Sequence, residues 1–349
     1  YKIKDKQRFI YIIPKIKLII LYLKMKLLTY KIADKNAHQI GILQKQYIYN
    51  LNLLFGNVSL IDVIKTKDYK DKISSFILNE GPVKHMLEDI TLLPVIPKPN
   101  SFRDAYAFRE HVETCRKNRG AEMISEFDKF PVFYFSNHNA MYADGQEIKL
   151  MPDHFNRLDY ELEFAIVIGK KGKNILSKDA DEYIAGFCIL NDLSARGLQM
   201  EEMKLNLGPA KGKDFANIIG PALVTPDELE AKAIETPFGK KYDLQMKCYV
   251  NGVLYSEGNA KDMNWTFAEI IERASYGVEL FPGDIIGSGT VGTGCLLEIN
   301  GTKKRRDSNY VEQWLEENDE IKMQIEGLGS ISNKIIKSNS SHSILKKQK

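Results

Sequence analysis

Between Leu158 and Gly169 the chain reads Leu158-Asp159-Tyr160-Glu161-Leu162-Glu163-Phe164-Ala165-Ile166-Val167-Ile168-Gly169, an apolar run with acids set into its start. Successive side chains of a β-strand point to opposite faces. A strand here puts Glu161, Glu163, Ala165 and Val167 on one face and Leu162, Phe164, Ile166 and Ile168 on the other. A second apolar run, Tyr183 to Leu190, ends in Asn191-Asp192. If the two runs are neighbouring strands, three carboxylates converge on an oxygen-rich site of the kind Mg²⁺ or Ca²⁺ takes. On spacing alone, a Glu-x-Glu pair reads as the solvent-facing side of a half-buried strand.

The rest of the pattern predicts a helix from Arg103 to Lys117, in which positions 104, 108 and 111 share a face and bring Asp104, Phe108 and His111 together. From Pro131 onward strands dominate, beginning with Phe133-Tyr134-Phe135. Val250-Asn251-Gly252-Val253 predicts a hairpin, because Asn-Gly accepts the positive φ angles of a tight turn. Trp265 to Ala274 reads as a helix, and Phe281-Pro282-Gly283-Asp284 as a turn into another strand. Residues 25–90 read as a small unit of short strands and a helix. Leu92 to Ser101 then carries Pro94, Pro97 and Pro99. Such a stretch suits neither a helix interior nor a central strand. It makes a semi-rigid connection and places a domain boundary near Val95. No internal repeat is visible. Many strands with few helices predict a mainly β fold with some α, its sheet rolled or barrel-like.

The ends differ from the body. Residues 1–31 carry nine Lys/Arg against Asp5 and residues 334–349 carry five Lys with no acid, so a formal net charge of +3 leaves residues 32–333 at −10. An acidic body argues against nucleic acid as the main partner and suits a protein that gathers carboxylates around a cation. The apolar stretch from Phe9 to Leu23 is broken by Pro14, Lys15 and Lys17, too short and too charged for a membrane span. Residues 1–24 are expected to be a disordered or artefactual extension before a start at Met25. The alternatives are a targeting or membrane-surface segment and a folded part of the core. The tail, residues 333–349, has no clear apolar periodicity and reads as disordered. Cys115, Cys188, Cys248 and Cys295 form no Cys-x-x-Cys pair and are expected to be free thiols in a reducing compartment.

Several polar features lie far apart yet suit one reaction. Asn191 to Gln199 starts at a strand end and runs toward a helix on which Arg196 and Gln199 share a face; alone it reads as a solvated first turn. Leu207 to Phe215 is a glycine-rich loop with Lys211 and Lys213, able to hold an anionic group or to be a mobile surface loop. Gly287-Ser288-Gly289-Thr290-Val291-Gly292-Thr293-Gly294 lacks the Lys of a phosphate-binding P-loop. It leads into Cys295 to Ile299, read as an apolar strand interrupted by Glu298. A buried Glu298 must be paired, and one partner it could orient is a histidine; the other reading is a Glu on the wet face of an edge strand. His111 alone reads as a structural histidine. His38, His85, His138, His154 and His342 have no persuasive partner.

Taken together, the run from Asp104 to His111, Glu161-Leu162-Glu163, Asn191 to Gln199, Gly208-Pro209-Ala210-Lys211-Gly212-Lys213, and Gly287-Ser288-Gly289-Thr290 with Glu298 resemble the fumarylacetoacetate hydrolase family over residues 95–332. The resemblance implies a catalytic domain of rolled mixed β-sheet or barrel form behind a small N-terminal domain, residues 25–94. It implies a metal site of Asp104, Glu161, Glu163 and Asp192 holding Mg²⁺ or Ca²⁺, with Mn²⁺ as an alternative. It implies that His111, polarised by Glu298, activates water, that Arg196, Gln199 and Lys213 stabilise the oxyanion and the leaving carbanion, and that Tyr106, Tyr134 and Thr290 contact substrate. The implied protein is a cytoplasmic homodimer, mitochondrial if residues 1–24 are genuine. It acts on a small oxo or diketo acid, by hydrolysis or by decarboxylation, hydration or isomerisation, without nucleic acid or stable membrane insertion. Leu193 and Gly197 depart from the family's usual residues and bear on substrate fit rather than on metal ligation.

Overall fold

A computed structural model describes residues 24–32, 37–79 and 83–346; the expectation for residues 1–24 falls almost entirely outside them. The strands that organise the molecule are β1 (Lys26–Ile32), β2 (Gln39–Gln44), β3 (Tyr47–Asn50), β4 (Lys84–Met86), β5 (Phe102–Ala105), β6 (Phe133–Ser136), β7 (Glu147–Leu150), β8 (Leu162–Ile168), β9 (Ile184–Asp192), β10 (Asn217–Val224), β11 (Gln245–Val250), β12 (Val253–Asn259), β13 (Ile285–Gly287), β14 (Glu320–Ile325) and β15 (Gly329–Lys337). Six helices accompany them in this account: α1 (Leu60–Lys65), α2 (Tyr69–Asn79), α3 (Arg109–Asn118), α4 (Arg196–Met203), α5 (Phe267–Ser275) and α6 (Leu296–Arg306).

The larger sheet runs β4-β3-β2-β1-β10-β9-β8-β13-β5-β6, with Ile90–Leu92 paired to β1 and Met141–Tyr142 to β10. Its pairings are antiparallel except β13 with β5 and Met141–Tyr142 with β10. A five-stranded sheet, β12-β11-β14-β15-β7, packs beside it. The fold is mixed α/β, and both sheets are open. The expected barrel is therefore corrected to two packed layers, each with edges among the described residues.

Strands β8 and β9 explain the layering, since all residues of both are buried. Leu162, Phe164, Ile166 and Ile168 join Phe187 and Ile189 in a core that reaches Met246, Met323 and Ile331 of the second sheet. Ala165 and Val167, on the opposite face, join Cys188 and Leu190 in a core shared with Leu27, Ile42, Val63 and Phe76 of the N-terminal segment. The predicted alternation is thus present, but both faces are covered, as strands in the middle of a layered fold require. The N-terminal strands enter the same sheet directly: Lys26 and Leu27 of β1 pair with Val224 and Leu223 of β10.

Several elements match their prediction. The Asn-Gly hairpin joins β11 to β12 with φ of 50° at Asn251 and 79° at Gly252. Helix α5 begins at a capping box, Thr266 to Glu269. Three elements differ. Residues 102–105 form β5 rather than a helix, because hydrogen bonding to β13 on one side and β6 on the other claims them. Residues 296–299 open α6 rather than a strand. Asn333–Lys337, read as disordered tail, belong to β15. There Ile331, Asn333 and Ile335 are buried at period two, and the Asn333 amide donates to Ala143 and Gln146 carbonyls at 2.8 and 2.9 Å. No helix among the described residues is long and apolar enough to cross a membrane.

Candidate metal and acid–base site

Pairing of β8 with β9 sets Leu162 opposite Asn191 and Glu163 opposite Leu190, so Glu161 and Asp192 lie one step beyond at the same end. Strand β13 lies on the other side of β8, with Gly287 beside Ala165 and, across the parallel pairing, beside Asp104 of β5. A Cβ at Gly287 would stand 2.2 Å from Asp104 Oδ1 and 3.0 Å from Glu163 Oε2. Only glycine lets these carboxylates meet across the strand between them. As a result Asp104, Glu161, Glu163 and Asp192, all buried, offer oxygens within 4.8 Å of one another. The solvent-facing reading of Glu161 and Glu163 does not hold.

Burial and mutual repulsion govern this cluster. Burial, reinforced by Asp192, pushes the Asp104 carboxyl up to about 7. Burial, Asp104 and Glu161 hold Glu163 well above the usual carboxylate range. Glu161 differs: burial opposes its ionisation, but the Lys213 ammonium and the Arg196 guanidinium outweigh it and hold it down at about 2. Lys213 Nζ contacts Glu161 and lies 2.7 Å from Asp192 Oδ2, which also accepts from the Tyr134 hydroxyl. Four carboxyl groups outnumber two buried cations, so the metal-free site keeps Glu163 protonated, and Asp192 Oδ1 has no hydrogen-bond partner among the described residues. An all-oxygen, acid-rich cluster with an orphaned ligand atom fits a divalent cation. Gly287→Ala is expected to push Asp104 and Glu163 apart and weaken Mn²⁺ binding roughly 10–100-fold, the range seen when a ligand's support is lost; isothermal titration reads this directly.

Arg196 lines the cavity and spends four of its five N–H donors on holding the site. Its Nε and Nη2 donate to Asp159 Oδ2 at 2.9 and 2.7 Å, Nη2 also donates to Glu161 Oε1 at 2.8 Å, and Nη1 donates to Gln199 Oε1 at 2.9 Å. Asp159 in turn accepts the Leu296 and Leu297 amides at 2.7 and 3.0 Å. A carboxylate on the exposed donors of a helix N-terminus stabilises it, which is why residues 296–299 are helical. Removing one partner from a buried ion-pair network costs about 3–5 kcal/mol, because the other charges stay buried. Arg196→Met is therefore expected to lower stability by that order in urea unfolding.

That helix start also delivers Glu298. Its Oε2 is 2.7 Å from His111 Nδ1, and its Oε1 accepts the Thr293 amide at 3.0 Å. His111 sits in α3, and Asn118 of the same helix donates to the Glu298 carbonyl at 3.0 Å. Burial opposes a charged ring, but Cys115 and Glu298 outweigh it and raise His111 to about 10. Asp104, Glu161, His111, Lys213, Tyr106 and Tyr134 all line one cavity of about 370 Å³, joined by Gln199 and Thr290. The expected site residues are thus brought together, with Glu163, Asp192 and Glu298 in contact behind the wall. The Gly289 amide donates to both Asp104 and Glu163 at 3.2 Å.

Other expectations resolve differently. The amides of Ala210, Lys211 and Gly212 are taken by the Glu202 carboxylate, and Lys211 pairs with Asp214. This loop is therefore built as an anchor, with Lys213 its one inward cation. His154 stacks on Phe215 at 4.0 Å, a packing role. Gly197 is required by close approach, since a Cβ there would lie 2.5 Å from the Asn156 side chain, and Leu193 is core. Sequence reasoning missed the role of Asp159, although it precedes Glu161 by two residues in the same alternation. It also missed Cys115, which follows His111 by one helical turn.

A four-acid cluster beside a His–Glu pair in one cavity defines a metal-associated enzyme. Residues 100–336 match the family described as fumarylacetoacetate (FAA) hydrolase C-terminal, and the chain belongs to that family. An uncharacterized protein of Staphylococcus epidermidis is 27% identical over 331 residues, covering 90% of this chain and all of the relative. The structure is similar to a fumarylacetoacetate hydrolase of Exiguobacterium antarcticum, with a TM-score of 0.68, 23% identity and coverage of 90% of this chain and 100% of that one. It is similar to a maleylpyruvate hydrolase of Sphingobium sp. SYK-6 solved with manganese(II) and pyruvate, with a TM-score of 0.66, 20% identity and the same coverages.

Proposed function

We propose that this protein is a divalent-metal-dependent hydrolase that cleaves a carbon–carbon bond in a β-diketo acid of the fumarylacetoacetate or acylpyruvate type. The observation that carries this reading is the His111–Glu298 pair opening into the same cavity as the four-acid cluster. A divalent cation held by Asp104, Glu161, Glu163 and Asp192 supplies polarisation of the substrate's oxygens and stabilises enolate charge. Glu298 occupies His111 Nδ1, so that Nε2, once the ring is neutral, is the nitrogen that takes a proton from water. Water then adds to the acyl carbonyl, the bond to the neighbouring carbon breaks, and that carbon leaves as an enolate. Gln199 spends its carbonyl on Arg196 and keeps its amide donors for the oxyanion. Lys213 balances charge at Glu161 and Asp192, and Tyr106, Tyr134 and Thr290 position the substrate from the wall.

A second reading keeps the site and changes the outcome: a decarboxylase, hydratase or isomerase of a small oxo acid. The raised His111 favours it, because a ring carrying a proton can deliver one to an enolate carbon. Turnover of acylpyruvates and fumarylacetoacetate, with and without Mg²⁺ or Mn²⁺, separates the two. Hydrolysis releases two acids, whereas loss of CO₂ or an isomeric product supports the second reading.

Glu298 raises His111, so Glu298→Gln is expected to lower it. If His111 acts as base, the acid limb of the kcat/KM profile then moves to lower pH while the plateau falls, because a weaker base takes the proton. A limb that does not move separates His111 from the titration.

A further inference from the structure

Two thiols stand against His111, and the proposed reaction uses neither. Cys115 Sγ lies 3.8 Å from Nε2 and 3.9 Å from Nδ1 of His111. The two separations are nearly equal, so the sulfur favours neither nitrogen. Cys295 precedes α6 by one residue, its sulfur within 4.8 Å of ligand atoms of His111 and Glu298, on the same ring that Cys115 approaches. Helices α3 and α6 hold this arrangement, with Asn118 donating to the Glu298 carbonyl and to Thr302 Oγ1 at 3.0 and 3.2 Å.

Access separates the two sulfurs. Cys115 lines the catalytic cavity and also an adjoining cavity of about 420 Å³. Cys295 is fully buried behind it. Their chemistry separates in the same sense. The Cys295 hydrogen bond draws the Cys115 thiol down to about 4 against the opposition of burial, with His111 assisting. Burial and the hydrogen bond to Cys115 push Cys295 well up. A reachable thiolate backed by a protonated neighbour is the arrangement of an oxidisable cysteine with a resolving thiol. Cys188 and Cys248 have no such setting: both are buried and pushed up mainly by desolvation.

We propose that Cys115 is a site of oxidation by hydroperoxides and that Cys295 resolves it to a disulfide beside His111. The Cys115 sulfur attacks one peroxide oxygen, the O–O bond breaks, and the departing hydroxide takes a proton to become water. Sulfur is oxidised by two electrons to the sulfenic acid. Cys295 sulfur then attacks Cys115 sulfur, the S–O bond breaks, and the hydroxide leaves with the Cys295 proton as a second water. Two thiols and one hydrogen peroxide give one disulfide and two waters. The Cys115 sulfur becomes bonded to Cys295, and the thiolate beside the His111 ring is lost.

The test is stoichiometric hydrogen peroxide on the full folded chain at neutral pH, followed by alkylation and peptide mass mapping. The expected product has lost two hydrogens and contains a Cys115–Cys295 linkage reducible by dithiothreitol, with Cys188 and Cys248 still alkylated. Cys295→Ser is expected to stop at the Cys115 sulfenic acid, trapped by dimedone. Cys115 opens into two cavities while Cys188 and Cys248 are fully buried, so it is expected to be oxidised before either of them in the folded chain. Equal reaction at all four cysteines, or an unmodified Cys115 in the folded wild type, overturns the proposal. These readouts are masses, so failure of the proposed hydrolase reaction would leave them unaffected.

Discussion

Replacing Glu163 with glutamine is expected to abolish metal-dependent turnover while leaving the metal-free fold at least as stable as the wild type. Glu163 is fully buried and faces Asp104, Glu161 and Asp192. Burial and those neighbours keep it protonated when no cation is bound. Glutamine keeps its shape and offers N–H where that proton lies, so little is lost in the metal-free state and repulsion is relieved. With metal the balance reverses, because one of four ligating charges is gone. Lewis-acid stabilisation is worth several kcal/mol, so turnover falls roughly 10³-fold or more. Thermal unfolding supplies the independent readout. A ligand at 100 times its Kd adds about 2.7 kcal/mol to stability, so Mn²⁺ raises the wild-type midpoint and leaves that of Glu163→Gln in place.

The pH dependence has a definite sign. Asp104 titrates at about 7 in the fold against about 4 for an ordinary aspartate, so the folded state holds this proton more tightly. The metal-free protein therefore carries the full contribution below about pH 4 and loses it as pH rises through about 7. Metal binding must displace the same proton, so affinity for Mn²⁺ rises over that window. A Glu163→Gln protein with a wild-type Mn²⁺ shift and wild-type turnover would place the cation elsewhere.

Much of this site is legible along the chain because its parts lie on regular elements. Glu161 and Glu163 belong to one alternation and Asp192 ends the next strand, so period two is enough to bring three acids near one another. Arg196 and Gln199 follow from helical spacing. Asp104 shows the limit of such reading. Its spacing to His111 suits a helix face, yet residues 102–105 are taken by two strands, residues 133–136 and 285–287, neither of them next to it along the chain. Glu298 fails in the opposite direction. An apolar run around one acid looks like a strand, but the Asp159 carboxylate stabilises a helix start there. Gly287 carries the same lesson in its smallest form: nothing local says that a Cβ would separate two carboxylates from different strands.

His111→Gln is expected to lower kcat by roughly 10²–10⁴-fold, the span of a lost acid–base group, without changing metal binding. Alanine is the poorer test. It would leave the Glu298 carboxylate buried without the partner now 2.7 Å away, and an abandoned buried charge destabilises by itself. Glutamine can still donate to Glu298 but cannot exchange a proton at neutral pH. The Mn²⁺-induced rise in midpoint should therefore match the wild type, in contrast to Glu163→Gln. Because the loss lies in the chemical step, kcat and kcat/KM should fall together. Cleavage at wild-type rate by His111→Gln would remove His111 as the base and shift the task to a group on the same wall. Loss of turnover with both the metal response and the fold intact separates proton transfer at His111 from cation binding at the four acids.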